Sequence, residues 1–362
     1  MKILLLAGEE SGLIYANRLR ELLSGHEIRG YGDYGFKTSD LAVMGFAAVL
    51  GKIRYFIGVK RTMERVIDEW RPDVVCTVDY PGMNLKLAAY AKSRGIRAVH
   101  VVCPQVWAWK AGRIPKIEAA LDRLCCFFPF EPALFRPGFA EFVGHPLAET
   151  FGGGAGARSA AGEGRLVAML PGSRMGEIQR NMPTLLEVVA KLDAEFGGRL
   201  GFVLPAANER AYRQMSKMAA KAGAPQALEV RLGGARDALR AADCAVVASG
   251  TATLEAALAR CPTVLVYRVS AALAWFARRV IKGVRHIGLA NVIWEKSGEK
   301  GEEPMPELLQ EDFTAERTAD ALRKWIVDPS SRTAASARLD DVVRTLETGT
   351  SAFARIVDNI LA

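Results

Sequence analysis

The feature that most limits this fold is an alternation of short apolar runs with amphipathic stretches. It runs to Phe151, stops in a glycine-rich stretch and starts again at Arg165. In the first half, Lys2–Gly8, Val74–Asp79, Ala98–Cys103, Leu124–Phe128 and Glu141–Gly144 read as strands. A helix follows the first of them, through Leu22, and another covers Asn84–Arg94. In the second half, Arg165–Leu170, Leu200–Pro205, Glu229–Leu232, Ala245–Ala248 and Thr263–Tyr267 read as strands, with helices at Glu177–Phe196 and Thr253–Arg260. Strands of nearly continuous Val, Ile, Leu and Ala need cover on both faces, which a parallel sheet flanked by helices supplies. The reading is therefore α/β: two Rossmann-like doubly wound parallel-sheet domains facing across a cleft. Residues 151–164 carry six Gly in 14 positions and read as a linker. The expected organisation is a first domain over 1–150, a second over 165–330, and C-terminal helices over 331–362 that dock on the first domain or on a partner subunit. From Thr314 the chain reads as helical, broken at Asp328-Pro329-Ser-Ser, with Gly349 before a last helix ending at Leu361.

Charge and cysteine narrow the function classes. The net charge of +8 is concentrated in tracts. No acid lies between Asp79 and Glu118, where Lys86, Lys92, Arg94, Arg97, Lys110, Arg113 and Lys116 occur. None lies between Glu255 and Glu295, where Arg260, Arg268, Arg278, Arg279, Lys282 and Arg285 occur. Lys52, Arg54, Lys60 and Arg61 form a third tract. Such tracts attract phosphates of nucleic acid, anionic lipid or a phosphorylated small substrate, and they would also serve as solvated helix faces. No nucleic-acid module is present, so nucleic acid is set aside as a partner. The six cysteines form no C-x-x-C and read as reduced core thiols, so no metal site is expected. Apolar runs such as Leu41–Leu50 are too short to span a bilayer, which takes about 20 residues. The start of the chain lacks the pattern of a secretory signal, so a cytoplasmic location is expected.

Ligands of doubly wound sheets bind where strands end and helices begin, because helix N-termini present unpaired N–H groups. Five loops occupy such places. Leu170-Pro-Gly172-Ser173-Arg174 with Glu177 combines a close-approach glycine, a helix-capping hydroxyl and a phosphate-pairing cation, and equally fits an ordinary capped turn. Ser249-Gly250-Thr251-Ala252-Thr253-Leu254-Glu255 suits a diphosphate, with Glu255 accepting from ribose hydroxyls; a capping box is the other reading. Ala7-Gly8-Glu9-Glu10-Ser11-Gly12 ends the first strand without G-x-G-x-x-G, so a dinucleotide site is not supported. Asp79-Tyr80-Pro81-Gly82-Met83-Asn84 puts a carboxylate at a strand end, placed for a general base or for a turn. Cys103-Pro104-Gln105-Val106-Trp107-Ala108-Trp109-Lys110 sets two Trp beside a Lys, suited to a sugar, acyl or membrane surface, or to half-buried core.

Taken together these strings resemble the lipid-A-disaccharide synthase family, inverting glycosyltransferases of GT-B architecture. The resemblance also includes Leu41-Ala-Val-Met-Gly45, Phe142-Val-Gly-His-Pro146 and Pro306-Glu-Leu-Leu-Gln310, all in the family's order from residue 3 to about 312. It implies that the first domain binds the acceptor, 2,3-diacylglucosamine 1-phosphate, and the second the donor, UDP-2,3-diacylglucosamine, with no metal or other cofactor. On the catalytic side it implies Asp79, with Glu9, Ser11 and His100 as the other candidates. For substrate binding it implies Gly8, Gly12, Asn84, Trp107 and Trp109, then Gly172, Ser173, Arg174, Ser249, Gly250, Thr251, Ala252, Thr253, Glu255, Asn291 and Gln310. An anionic inner-membrane surface, approached from the cytoplasmic face with Leu273–Ile281 and the two Trp at its border, and a homodimer complete the expectation.

Three departures from the family pattern fall in the first domain. Ser11-Gly12 is followed by Leu13 where the family has Asp. Gly82 replaces the second Asp of Asp-x-Pro-Asp-Phe-Asn. Tyr31-Gly-Asp-Tyr-Gly35 is shorter than the glycine-rich segment usual there. These departures keep three alternatives in view: a glycosyltransferase with another acceptor, a UDP-sugar 2-epimerase on the same fold, and a non-catalytic UDP-sugar or lipid-binding homologue.

Overall fold

A computed structural model describes residues 1–41, 53–151, 165–270, 274–275, 279, 283–298 and 301–362. The linker 152–164, most of the Leu41–Gly45 motif and much of Leu273–Ile281, with Lys52, Arg278 and Lys282, lie outside the described residues. The chain divides into two units. One comprises Met1–Glu149 with Leu346–Ala362, and the other Thr150–Thr345.

The first unit is built on strands β1 (Lys2–Ala7), β2 (Glu27–Arg29), β3 (Val74–Val78), β4 (Arg97–Val101), β5 (Arg123–Cys126) and β6 (Ala140–Phe142). They pair in the order β2-β1-β3-β4-β5-β6, all parallel. β3 is buried along its whole length, as its Val-Val-Cys-Thr-Val sequence requires of a strand covered on both faces. One face is covered by Glu10–Leu22, whose Ala16 and Leu19, with Leu23 just past its end, pack with Ile3, Leu5 and Val99. The other is covered by Ile53–Trp70, an amphipathic helix that buries Val59, Met63, Val66, Ile67 and Trp70. The last helix, Ala352–Leu361, sends Phe353, Ile356 and Ile360 into the same core as β1, β3 and β4. The chain thus re-enters the first unit at Leu346. Pro329–Arg344 belongs to the second unit, so the boundary does not fall at the expected 330/331.

The second unit contains β7 (Arg165–Leu170), β8 (Leu200–Ala206), β9 (Leu228–Leu232), β10 (Cys244–Ala248), β11 (Thr263–Tyr267) and β12 (Glu307–Leu309). Their order is β12-β11-β10-β7-β8-β9, again all parallel. The helix Met175–Phe196 lays Ile178, Met182, Leu185 and Val189 against this sheet, and Ala315–Val327 adds Leu322, Trp325 and Ile326. In each sheet the strand order reverses beside its first strand. The reversal lies between β1 and β3 in one and between β7 and β10 in the other, and such points leave a crevice at the carboxyl ends of the strands.

Candidate functional site

The reversal point of the second sheet holds a cavity of about 410 Å³, within the range of small-ligand sites. Leu170 ends β7 on one side and Ala248 ends β10 on the other. The floor comes from Gly172, Ser173 and Arg174, the far wall from Ser249, Gly250, Thr251, Ala252 and Glu255. Both loops run directly into helices, Met175–Phe196 and Thr251–Leu258, so two sets of unpaired N–H groups and two positive dipole ends border the cavity.

Local sequence explains both turns. Gly172 has φ +112°, and a Cβ there would lie 2.6 Å from Glu177 Oε2 and 2.8 Å from Glu177 Cβ. Only glycine lets Glu177 fold back under the loop, where it accepts from Arg174 N at 3.3 Å and pairs with Arg174 Nη1 at 3.0 Å. The N-cap is therefore Arg174, not the expected Ser173, whose side chain is left to the cavity. Gly250, at φ +142°, is the N-cap of the next helix and no side chain caps it. Glu255 is thus not used in a capping box. Its Oε1 accepts from Arg236 Nε at 3.1 Å, and its carboxylate borders the cavity.

Three residues singled out for this site do not line it. Thr253 is fully buried, donating to Gly250 O at 2.8 Å and accepting from Leu289 N at 3.2 Å. Asn291 is also fully buried; its Nδ2 donates to Met305 O and Glu307 Oε1, and its Oδ1 accepts from Met305 N. Gln310, with φ +52°, lines a separate cavity of about 640 Å³ with Arg268, Trp275 and Arg279. Sequence reasoning missed Gly233, Gly234 and Ala235, which close the cavity after β9. The Gly-Gly pair at a strand end, ahead of a helix, was the available signal.

The reversal point of the first sheet gathers the acidic candidates. Asp79 follows β3, with Oδ1 accepting from Tyr80 N at 2.8 Å and Oδ2 from Ser11 Oγ at 3.4 Å. Partial burial pushes its carboxyl above the usual carboxylate range, against the lowering effect of those two bonds. Asp79 and Tyr80 both adopt left-handed backbone, φ +51° and +52°, which non-glycine residues hold only where their surroundings impose it. Gly8 makes room: a Cβ there would lie 2.3 Å from Tyr80 Cδ1. Gly12 is less tightly confined, its Cβ position 3.2 Å from Val78 O. Glu9, part-buried, precedes the helix Glu10–Leu22 as its N-cap residue, without a side-chain cap.

Other first-unit candidates are structural. Asn84 is fully buried, with Nδ2 facing Leu6 O, Val78 O and Asp79 O, and it reaches no open surface. His100 is fully buried inside β4, with Nδ1 2.7 Å from Thr77 Oγ1, and burial lowers it to about 3. It stays neutral and out of reach of a substrate. Trp107 is core: its Nε1 donates to Glu131 at 3.0 Å and its ring meets Phe128 and Phe130 edge-on. Trp109 is exposed, with Lys110 Nζ 4.1 Å from its ring centre.

Among the described residues one group has the composition of a metal site. Cys103 Sγ, Cys126 Sγ and a Glu131 oxygen lie within 4.8 Å of one another and are buried. The Glu131 carboxylate already accepts from Trp107 Nε1 and Phe128 N, and burial raises it to about 8. A protonated, hydrogen-bonded acid beside two thiols needs no cation to be stable there.

Known proteins agree with this geometry. The sequence pattern of the family described as Lipid-A-disaccharide synthetase matches residues 3–360. The Lipid-A-disaccharide synthase of Chromohalobacter salexigens is 36% identical over 374 residues, 97% of this chain and 94% of that one. That of Xylella fastidiosa is 37% identical over 359 residues, 92% and 91% of the two chains. Among solved structures, the UDP-GlcNAc 2-epimerase from Neisseria meningitidis bound to UDP-GlcNAc superposes with a TM-score of 0.63 at 12% identity, covering all of both chains. The S. aureus MnaA–UDP structure gives 0.62 at 14%, covering 99% of this chain and 95% of that one. The solved structures establish the fold, and the sequence relatives establish more than the fold: this chain belongs to the lipid-A-disaccharide synthase family of glycosyltransferases.

Proposed function

We propose that this chain transfers 2,3-diacylglucosamine from UDP-2,3-diacylglucosamine to 2,3-diacylglucosamine 1-phosphate, with inversion. The acceptor 6-hydroxyl attacks the donor anomeric carbon and forms the β-1,6 bond. The bond from that carbon to the diphosphate oxygen breaks, and UDP leaves. One observation carries the reading: in a member of this family, the 410 Å³ cavity sits at the ends of β7 and β10 between two helix N-termini.

In this reading the N–H groups at Gly250–Ala252, the hydroxyls of Ser249 and Thr251, and Arg174 receive the diphosphate, whose charge grows as the sugar bond breaks. Arg174 is mostly exposed beyond its pairing with Glu177, so it has room to turn toward a phosphate. Glu255 accepts from the ribose hydroxyls. Asp79 takes the proton of the attacking hydroxyl, and Ser11 orients its carboxylate. The raised Asp79 carboxyl makes it a better proton acceptor once ionised than a solvated one.

The lipid substrates place the enzyme at an anionic bilayer surface, on its cytoplasmic face in this reading. Among the described residues no helix is long and apolar enough to cross a membrane. Support for surface binding comes from the basic tracts and from two exposed cation–Trp pairs, Trp109 with Lys110 and Trp275 with Arg279, the latter 3.7 Å from the ring centre. The reading includes a homodimer, which light scattering tests. The central experiment measures UDP release with both lipid precursors present. UDP binding without release, in folded protein with intact precursors, refutes the assignment.

A further inference from the structure

Asn84 anchors the loop that carries Asp79. Asn84 Nδ2 lies 2.8 Å from Asp79 O, 3.2 Å from Val78 O and 3.2 Å from Leu6 O. It therefore ties the ends of β1 and β3 to the first left-handed residue of the loop. The amide can do this in one orientation only. With Oδ1 turned to these three carbonyls, oxygen would face oxygen in a fully buried site. On its other side Oδ1 accepts from Tyr31 Oη at 2.8 Å. Tyr31 itself is buried, and its hydroxyl is held in the un-ionised, donating form by that burial.

We propose that Tyr31 is a positioning residue for the transfer reaction: its hydroxyl fixes the Asn84 amide, which holds the strained Asp79–Tyr80 backbone and so aims the Asp79 carboxylate. The inference rests on the reading of Asp79 as the base. The strain makes the device necessary. Two consecutive non-glycine residues at φ near +50° relax unless something holds them. The backbone N–H of Asp79 is anchored to Val101 O at 2.9 Å, and its carbonyl is anchored by Asn84. Loss of the Tyr31 donor leaves Oδ1 unpartnered in a buried site, and the amide, with the loop it anchors, shifts to find Oδ1 a new donor. A base displaced by about 1 Å costs up to 10²-fold in rate.

The test compares Tyr31→Phe, Asp79→Asn and the double variant in the UDP-release assay. Tyr31→Phe should lower kcat by about 10- to 100-fold and leave donor KM and UDP affinity unchanged, since those belong to the second unit. The groups that face the Asp79 carboxylate or its neighbour Tyr80 are Ser11, Glu9, Tyr55, Tyr80 itself and, toward Tyr80, Tyr31. Tyr31→Phe removes only a neutral hydroxyl from this set, so a carboxylate released toward water should move the acid limb of kcat/KM to lower pH. In the Asp79→Asn background Tyr31→Phe should cost nothing more. Tyr31→4-aminophenylalanine, which restores a donor, should recover turnover. Wild-type kcat and acid limb in Tyr31→Phe overturn the inference even if the melting temperature falls, as does an additive loss in the double variant or a failure of the amino analogue to rescue. Near-normal turnover by folded Asp79→Asn removes the base itself, and the inference falls with it. A dead Asp79→Asn beside a normal Tyr31→Phe removes the inference alone.

Discussion

Glu255→Ala is the sharpest probe of the proposed donor cavity. In the free protein the carboxylate is 19% exposed and accepts from Arg236 Nε at 3.1 Å. The Arg236 side chain is 42% exposed, so that ion pair is screened and contributes about 0–1 kcal/mol. Bound ribose would present two hydroxyls to the carboxylate. Hydrogen bonds to a charged group are worth about 1.5–3 kcal/mol each, and residual water access favours the lower figure. Two bonds then amount to about 3 kcal/mol, or roughly 100-fold in Kd. Glu255→Gln keeps a single uncharged acceptor and should lose roughly 10-fold. Calorimetric titration with UDP and with 2′,3′-dideoxy-UDP separates this contribution from general damage. The dideoxy nucleotide makes neither bond, so its affinity should hardly change between wild type and Glu255→Ala. Equal losses for both nucleotides, or unchanged UDP affinity in folded Glu255→Ala, would refute the ribose contact.

Gly172→Ala forces a Cβ to within 2.6 Å of Glu177 Oε2 at φ +112°, so it should lower the melting temperature and weaken UDP together. Wild-type values for both would show that the loop rearranges freely. Phosphatidylglycerol vesicles should sediment the protein at low salt and release it at high salt, and equal binding to neutral vesicles would count against the electrostatic contribution. Glu131, raised by burial from 4.5 to about 8, keeps a proton in the folded chain that the unfolded chain releases. Its contribution to stability is therefore full below about pH 4.5 and is lost as pH rises toward about 8. Glu131→Gln keeps an acceptor for Trp107 and should flatten the fall in melting temperature between about pH 5 and pH 8; the same slope in the variant would place the titration elsewhere.

Much of the fold was legible because parallel strands buried on both faces are continuous apolar runs. Arg165–Leu170 and Thr263–Tyr267 begin and end where the sequence reading put them. The edge strands Glu27–Arg29 and Glu307–Leu309 were not legible, since three residues carry no period. The helix Ile53–Trp70 was overlooked although its buried positions recur at helical spacing. Loop glycines and hydroxyls that line the cavity between β7 and β10 could be read because their backbone demands are local. Buried amides could not. Asn84 and Asn291 sit in the first turns of the helices Pro81–Ser93 and Leu289–Lys296, and composition does not tell whether an amide faces a ligand or a set of backbone carbonyls. The same ambiguity made His100 a catalytic candidate and Trp107 a surface one, when one is enclosed by the sheet and the other is held by Glu131.

The departures from the family pattern bear on whether the first unit has lost its chemistry. Two of the three fall together. Leu13 and Tyr31, Gly32, Asp33 and Gly35 line one cavity of about 700 Å³, with Arg20 and Lys37 at its edge. Gly82 stands apart, the second residue of the helix Pro81–Ser93, and a Cβ there would meet nothing within 4 Å. Glycine is not demanded at that position by packing or by φ. The bonds that hold Asp79, from Ser11, Tyr80 and Asn84, are all present, and Tyr31 both lines the altered cavity and anchors that arrangement. Positive φ occurs at other non-glycine residues, among them Arg71 and Arg260, but among the described residues only at Asp79 and Tyr80 are two such residues consecutive, and there the surroundings hold them. With Asp79 as the proposed base, the pattern is that of a site whose wall has changed while its base remains held, which argues against the non-catalytic reading.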